Sequence, residues 1–306
     1  MKLETIRACS IWRALEVLGD VPVLLILECA FLGTKSFEQF VEKTGVPRSV
    51  VSDRLKKLIE ENCLEKRPEP QGRRKQYHLT EKGRDLFPVA LAMLGWQHKW
   101  EPGQRGFTIQ LVHKACGLVV EPRSACHSCS QTIDPRDVDW KPGPGLVQVL
   151  PVYSTRRRPS KVPTPRRGNV TLVDTVIGLY GDRWSTLIVR AMFSGLHRFD
   201  QIQTDTQMAP NILSGRIADL IDRGILVATQ YCELPPRFEY RLTEKGRALY
   251  PVILGFLYWG DKYYSDENGP PLLLTHRPCA DSLAMVMACD HCGTALKLQD
   301  ISFDPA

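Results

Sequence analysis

Eight residues of this chain have the types and spacing of metal ligands. His113, Cys116, Cys126 and Cys129 follow the order His-x-x-Cys, nine residues, Cys-x-x-Cys, and His276, Cys279, Cys289 and Cys292 repeat that order 163 residues further on. Zinc takes thiolate sulfur and imidazole nitrogen tetrahedrally, and two short knuckles are enough to close such a shell. One histidine and three cysteines fill all four positions. The spacing therefore predicts two structural zinc ions, each closed within its own set, with no open position for a substrate. The residues between the ligands differ, KACGLVVEPRSAC against RPCADSLAMVMAC, so the spacing outlasts its surroundings.

Catalysis is not expected. The chain has no Gly-rich phosphate loop, no nucleophile with a base and no paired catalytic carboxylates. The His-x-Glu with Pro-Cys-x-x-Cys pattern of zinc deaminases is also missing. His127 and His291 lie inside the Cys-x-x-Cys pairs at different offsets and read as surface residues. Cys29, Cys63 and Cys232 fall outside the pattern and are expected to be core or surface thiols.

The elements that must position these ligands are duplicated at the same offset. LTEKGRDLFPV, beginning at Leu79, returns as LTEKGRALYPV at Leu242, so two copies of one module make up most of the chain. In the first copy, helical spacing covers Ile11 to Leu18 and Val21 to Phe31, with Asp20 as a cap and Pro22 in the first turn. Ser36 and Gln39 form a capping-box pattern opening a third helix with Phe37, Phe40 and Val41 on its core face. After Gly45, a fourth helix starts at Pro47 or Arg48 and carries Val51, Leu55, Leu58 and Ile59 inward, with Lys56 and Lys57 on the surface. The run LEKRPEPQGRRKQYHLT predicts a two-stranded hairpin with a basic tip, and a long helix follows from Glu81 towards Trp96. The second copy repeats this with helices over 171–181, Arg183–Phe193, Phe199–Thr204 and Pro210–Arg223, a hairpin around Pro235 and Pro236, and a helix over Glu244–Tyr258.

The predicted class is therefore α+β and mainly helical: tandem winged helix-turn-helix domains with small Cys3His zinc-ribbon-like modules. The expected boundaries are 1–104 for the first winged helix, 105–140 for the first zinc-binding module and 141–169 for a basic Pro-rich linker. The second winged helix takes 170–268 and the second zinc-binding module 269–306.

A chain of 306 residues with 43% apolar content can core two domains. Its longest apolar run, Val21 to Gly33, contains Glu28 and falls short of the roughly 20 residues that cross a bilayer. No membrane partner is expected. Glu4, Arg7, Arg13 and Glu16 break up any signal-peptide core, which points to the reducing cytoplasm, where Cys-x-x-Cys favours metal over disulfide. The net charge is +6, yet Lys141, Arg156, Arg157, Arg158, Lys161, Arg166 and Arg167 place seven cations in the linker without an acid. The folded modules are thus near neutral. The linker reads either as a solvated spacer or as an arm following phosphates.

Three stretches of the first copy, Cys9 with WRALEVLGD, SVVSDRLKKLIEENCLEKR and YHLTEKGRDLFPV, resemble the HxlR family of bacterial winged-helix transcription regulators. GLYGDRWSTLIVRAMFSGLHRFDQI, NILSGRIADLIDRGIL and FEYRLTEKGRALYPV of the second copy resemble it more closely still. The resemblance covers about residues 8–100 and 171–262 and implies a homodimeric DNA-binding fold paired through its outer helices. It also implies a candidate redox-sensing cysteine near the start of the first helix, here Cys9. One departure stands out: Gly181-Asp182-Arg183-Trp184 in the second copy is matched by Gly19-Asp20-Val21-Pro22 in the first.

In such folds a helix N-terminus reaches base edges while wings touch phosphates. The candidates in the first copy are Arg48, Ser49, Ser52 and Arg54 on the helix and Arg73, Arg74 and Lys75 on the wing. In the second copy they are Asn211, Ser214 and Arg216 on the helix and Arg237 and Arg241 on the wing. Arg48 suits guanine and Asn211 suits adenine, which makes the expected operator asymmetric. The expected partner is double-stranded DNA, bound by an intramolecular pseudo-dimer or by a homodimer. A linker of roughly 28 residues spans about 30 Å and allows the first arrangement. The alternative reading is a module that docks transcription machinery without reading bases.

Overall fold

The computed structural model describes residues 6–68, 75–101, 109–149, 172–265 and 267–305. Arg73 and Arg74 lie outside them, as do the linker cations Arg156, Arg157, Arg158, Lys161, Arg166 and Arg167. The architecture is mainly helical α+β with winged helix-turn-helix elements in tandem. It divides into two compact units, neither continuous in sequence: unit A has residues 15–132, 158–181 and 284–306, and unit B has residues 1–14, 133–157 and 182–283.

Unit A is built on the helix Val21–Phe31, whose sequence VPVLLILECAF is apolar almost all round and largely buried. Asp20 caps it by accepting from Val23 N at 3.4 Å, with Pro22 in the first turn, where a missing N–H costs nothing. Around it pack Phe37–Thr44, Arg48–Glu60 and, from the second copy, Asp174–Tyr180. The Ser36/Gln39 capping box forms with both bonds, and Gly45, in the left-handed region at φ 64°, ends that helix. Phe40 is buried as expected; Phe37 is half-exposed. The wing strands Leu64–Pro68 and Lys75–Leu79 pair antiparallel, Leu64 opposite Leu79 and Pro68 opposite Lys75.

The single helix expected from Glu81 is two, Glu81–Arg84 and Phe87–Trp100. Pro88 explains the break, because a proline inside a helix lacks its N–H and its ring collides with the carbonyl four residues back. Pro251 divides the second copy in the same way, into Glu244–Arg247 and Tyr250–Tyr264. The repeated Thr-Glu-Lys-Gly-Arg is structural. Thr80 and Thr243 accept from Gly83 N and Gly246 N at 3.1 and 3.0 Å. A Cβ on Gly83 would lie 2.1 Å from the Cys63 carbonyl oxygen, and one on Gly246 would lie 2.3 Å from that of Ile225.

Unit B assembles Arg183–Phe193, Phe199–Thr206 and Pro210–Asp222 with the wing Leu226–Cys232 and Arg237–Leu242. Strand Ile6–Ala8 pairs with Val147–Val149 in the same unit.

The small ribbons exchange strands. In unit A, Ile109–His113 lies between Leu118–Val119 of its own copy and Ile301–Pro305 of the other, His113 opposite Ile301. In unit B, Leu272–His276 lies between Asp281–Ser282 and Val138–Pro142, His276 opposite Val138. Each ribbon therefore takes its outer strand from the other repeat. Arg123–Cys126 also pairs with Met285–Ala288 inside unit A.

One half-buried carboxyl gives unit A a pH signature. Glu28 Oε1 accepts from Leu172 N at 2.6 Å, and burial, opposed by that bond and reinforced by Asp174, raises its pKa to about 8. The folded chain keeps a proton there that the unfolded chain releases near 4.5. Stability from this group is complete at low pH and falls by up to about 1.4 kcal/mol per pH unit as pH rises from about 4.5 to about 8. Urea unfolding between pH 5 and 8 should show that decline, and Glu28→Gln, which keeps the acceptor, should flatten it.

Candidate nucleic-acid interface and metal centre

The two recognition helices, Arg48–Glu60 and Pro210–Asp222, have the same design. Val51, Leu55 and Leu58 anchor the first, and Leu213, Ile217 and Leu220 the second. Their opposite faces leave Arg48, Ser49 and Ser52, and Asn211 and Ser214, exposed. Neither helix has a side-chain cap at Pro47 or Ala209, so the first-turn N–H groups point outward without a side chain from their own cap. Arg48 lies over the Phe37 ring, 4.9 Å from its centroid and 3.8 Å from Glu38. The half-exposed phenylalanine thus steadies the side chain expected to read guanine.

Arg54 and Arg216 differ from those residues. The Arg54 guanidinium pairs with Asp20 at 2.8 Å, and Arg216 pairs with Asp182 at 2.5 Å. Asp20 also caps the helix Val21–Phe31, and Asp182 accepts from the Ser185 hydroxyl at 2.7 Å. These arginines tie each recognition helix to the start of an earlier helix. Lys57, expected on the surface, donates to the carbonyls of Glu16 and Val17 at 2.5 and 3.1 Å. It closes the end of the helix Ser10–Leu18, whose last carbonyls lack intrahelical partners.

On the wings, Lys75, Arg237 and Arg241 are exposed. Arg198 holds the second wing by pairing with Glu239 at 2.9 Å, and Arg241 approaches the same carboxylate at 3.3 Å. The Arg198 hydrogen bond, with help from Arg241, holds Glu239 below the usual carboxylate range.

The ligand residues meet in an order the spacing did not predict. Within unit A, His113 and Cys116 join Cys289 and Cys292, with all four ligand atoms within 4.8 Å of one another. His113 Nδ1 is 3.4 Å from both Cys116 Sγ and Cys292 Sγ, and Cys116 Sγ is 3.9 Å from Cys289 Sγ. A zinc tetrahedron has edges of about 3.6 Å between nitrogen and sulfur and about 3.8 Å between sulfurs. These three of the six edges match it closely, and 3.9 Å is far beyond a disulfide. The other four ligands keep the local form of their counterparts. In unit B, His276 Nδ1 is 3.4 Å from Cys279 Sγ, and in unit A, Ser130 N donates to the Cys126 carbonyl at 2.8 Å in the Cys126–Cys129 knuckle.

His291, expected as a plain surface residue, lies 2.9 Å from the Val119 carbonyl through Nε2. Asp290 accepts from Glu121 N at 3.1 Å. Both pin the Cys289–Cys292 knuckle to the first repeat's ribbon. His127 is exposed, as expected. Burial pushes the Cys29 and Cys63 thiols up to about 12, which makes them inert core groups; Cys232 is half-buried.

Cys9 is only 1% exposed and lies beside a buried ion pair in unit B. Arg190, 4% exposed, donates from Nη1 to Cys9 Sγ at 3.0 Å and from Nη2 to the Asp205 carboxylate. Burial works against the Arg190 charge, but Cys9 and Asp205 outweigh it and raise its pKa further.

Two recognition helices, each with a polar exposed start and a wing in its own copy, define a DNA-binding transcriptional regulator. The HxlR-like helix-turn-helix model matches residues 17–105 and 179–268, and the chain belongs to that family. It is 39% identical over 144 residues to an uncharacterized HTH-type transcriptional regulator of Mycobacterium tuberculosis, covering 46% of this chain and 90% of the relative. It is 32% identical over 92 residues to the uncharacterized HTH-type transcriptional regulator YdeP of Bacillus subtilis, covering 30% and 72% respectively. The reduced form of the transcriptional regulator YodB from B. subtilis is similar at 30% identity and a TM-score of 0.27, covering 30% of this chain and 91% of that one. Among the described residues, no helix is long and apolar enough to cross a membrane.

Proposed function

We propose that this regulator reads an asymmetric duplex with two different heads carried on one chain. Arg48, Ser49 and Ser52 face one half of the operator, and Asn211 and Ser214 face the other. Lys75 with Arg73 and Arg74, and Arg237 with Arg241, follow the phosphates. The observation that carries this reading is that both recognition helices expose a polar first turn, whereas Arg54 and Arg216 are tied to Asp20 and Asp182. Those two arginines position the heads and do not read bases. The uncapped N–H groups at both helix starts are suited to a phosphate oxygen. Selecting duplexes from a random pool with purified protein and footprinting the product should give one site with unlike halves. A perfectly symmetric palindrome would mean that two chains pair like with like, and would overturn the one-chain reading.

Eight Cys/His ligands suffice for two zinc ions, and in the set of His113, Cys116, Cys289 and Cys292 the three contacts near tetrahedral edge lengths support a structural role. The ion would brace the ribbons; no reaction passes through it.

A redox role for Cys9 rests on the Arg190 guanidinium at its sulfur, an electropositive setting of the kind reactive cysteines use. At 1% exposure the thiol meets an oxidant only when unit B opens locally. Peroxide should then release duplex from the native protein and not from Cys9→Ser; equal behaviour of the two would remove the role.

A further inference from the structure

The two ligand sets are chemically identical, so their chemistry alone does not decide which halves close on one ion, and the local closure that their spacing suggests is not the one found. The backbone decides. Ile301–Pro305 lies along Ile109–His113, and Met285–Ala288 lies along Arg123–Cys126. Lys114 N donates to the Asp300 carbonyl at 2.9 Å, His291 Nε2 lies 2.9 Å from the Val119 carbonyl, and Asp290 accepts from Glu121 N at 3.1 Å. Hydrogen bonds on several sides therefore deliver the Cys289–Cys292 knuckle to His113 and Cys116. The thiols of Cys116 and Cys289, 173 positions apart, come within 3.9 Å.

Resting on the metal reading above, we propose that this ion is a staple between the two sequence repeats, held by His113 and Cys116 of the first and Cys289 and Cys292 of the second. A ligand set closed within one copy would stabilise only a short ribbon. The exchanged set closes a loop of most of the chain, so metal binding fixes the C-terminal strand and knuckle onto unit A. Loss of the ion frees that segment. Long loops are where such a cross-link restricts the unfolded chain most.

The test is metal content and thiol mapping in the full-length chain. Cys116→Ser and Cys292→Ser act on the same ion, so the double variant should lose no more zinc per chain than either single one. Closure within each copy would make the losses add, and that result would overturn the proposal. Alkylation mapped by peptide supplies a readout that needs only one substitution. In folded Cys292→Ser, Cys116 should become reactive while Cys279 stays protected; protection of Cys116 with exposure of Cys279 would overturn the exchange. Zinc-free wild-type protein, purified without chelator and failing to take up added zinc or cobalt(II), would instead remove the metal reading itself, and the staple with it.

Discussion

Arg190→Met should destabilise unit B by about 3–5 kcal/mol, a larger loss than any exposed charge in the molecule would give. The guanidinium is 4% exposed and joins the Cys9 sulfur to the Asp205 carboxylate. Deleting it removes this guanidinium from a nearly buried carboxylate, whereas deleting both charges removes the desolvation cost of the pair together. Arg190→Met combined with Asp205→Leu should therefore recover much of the loss. Urea denaturation of the two variants beside wild type measures this directly. A single variant as stable as the native chain would show that the cluster contributes little.

The second large effect concerns the reading heads. Arg48→Ala and Asn211→Ala should each weaken binding to the selected duplex by about 1–3 kcal/mol, and each should relax base preference in one half of the operator only. The two losses should add, since the heads touch different base pairs. Arg54→Ala provides the contrast. Its partner Asp20 is 8% exposed and caps a core helix, so the change should lower the unfolding midpoint and weaken binding without altering which bases are preferred. Equilibrium titrations against the operator and a set of single-base variants separate the two patterns.

Most of the scaffold was legible in the sequence because its signals are local. The Ser36/Gln39 capping box, Asp20 before Pro22, and Thr80 and Thr243 ahead of their glycines fix helix starts by chemistry within three or four residues. Pro88 and Pro251 carried an equally local warning that the closing helices are divided, and the continuous apolar pattern across them concealed it. The roles of Arg54 and Arg216 depend on partners 34 residues away in both copies, and that shared offset from Asp20 and Asp182 was the available signal. By contrast, position 48 changes from arginine to proline at 210, which marks a head free to diverge. The metal ligands were identifiable as residue types. Their pairing was not, because either Cys-x-x-Cys completes either His-x-x-Cys with the same chemistry, and only the exchanged strands decide between them.

The most direct measurement is the affinity of the purified full-length chain for its selected duplex as salt is raised from 50 to 200 mM. With the wing cations on phosphates, the logarithm of the binding constant should fall linearly with that of salt, with a slope of about −4 or steeper. Failure to bind any duplex at low ionic strength, or binding indifferent to salt, would contradict a regulator that grips DNA through these two helices and their wings.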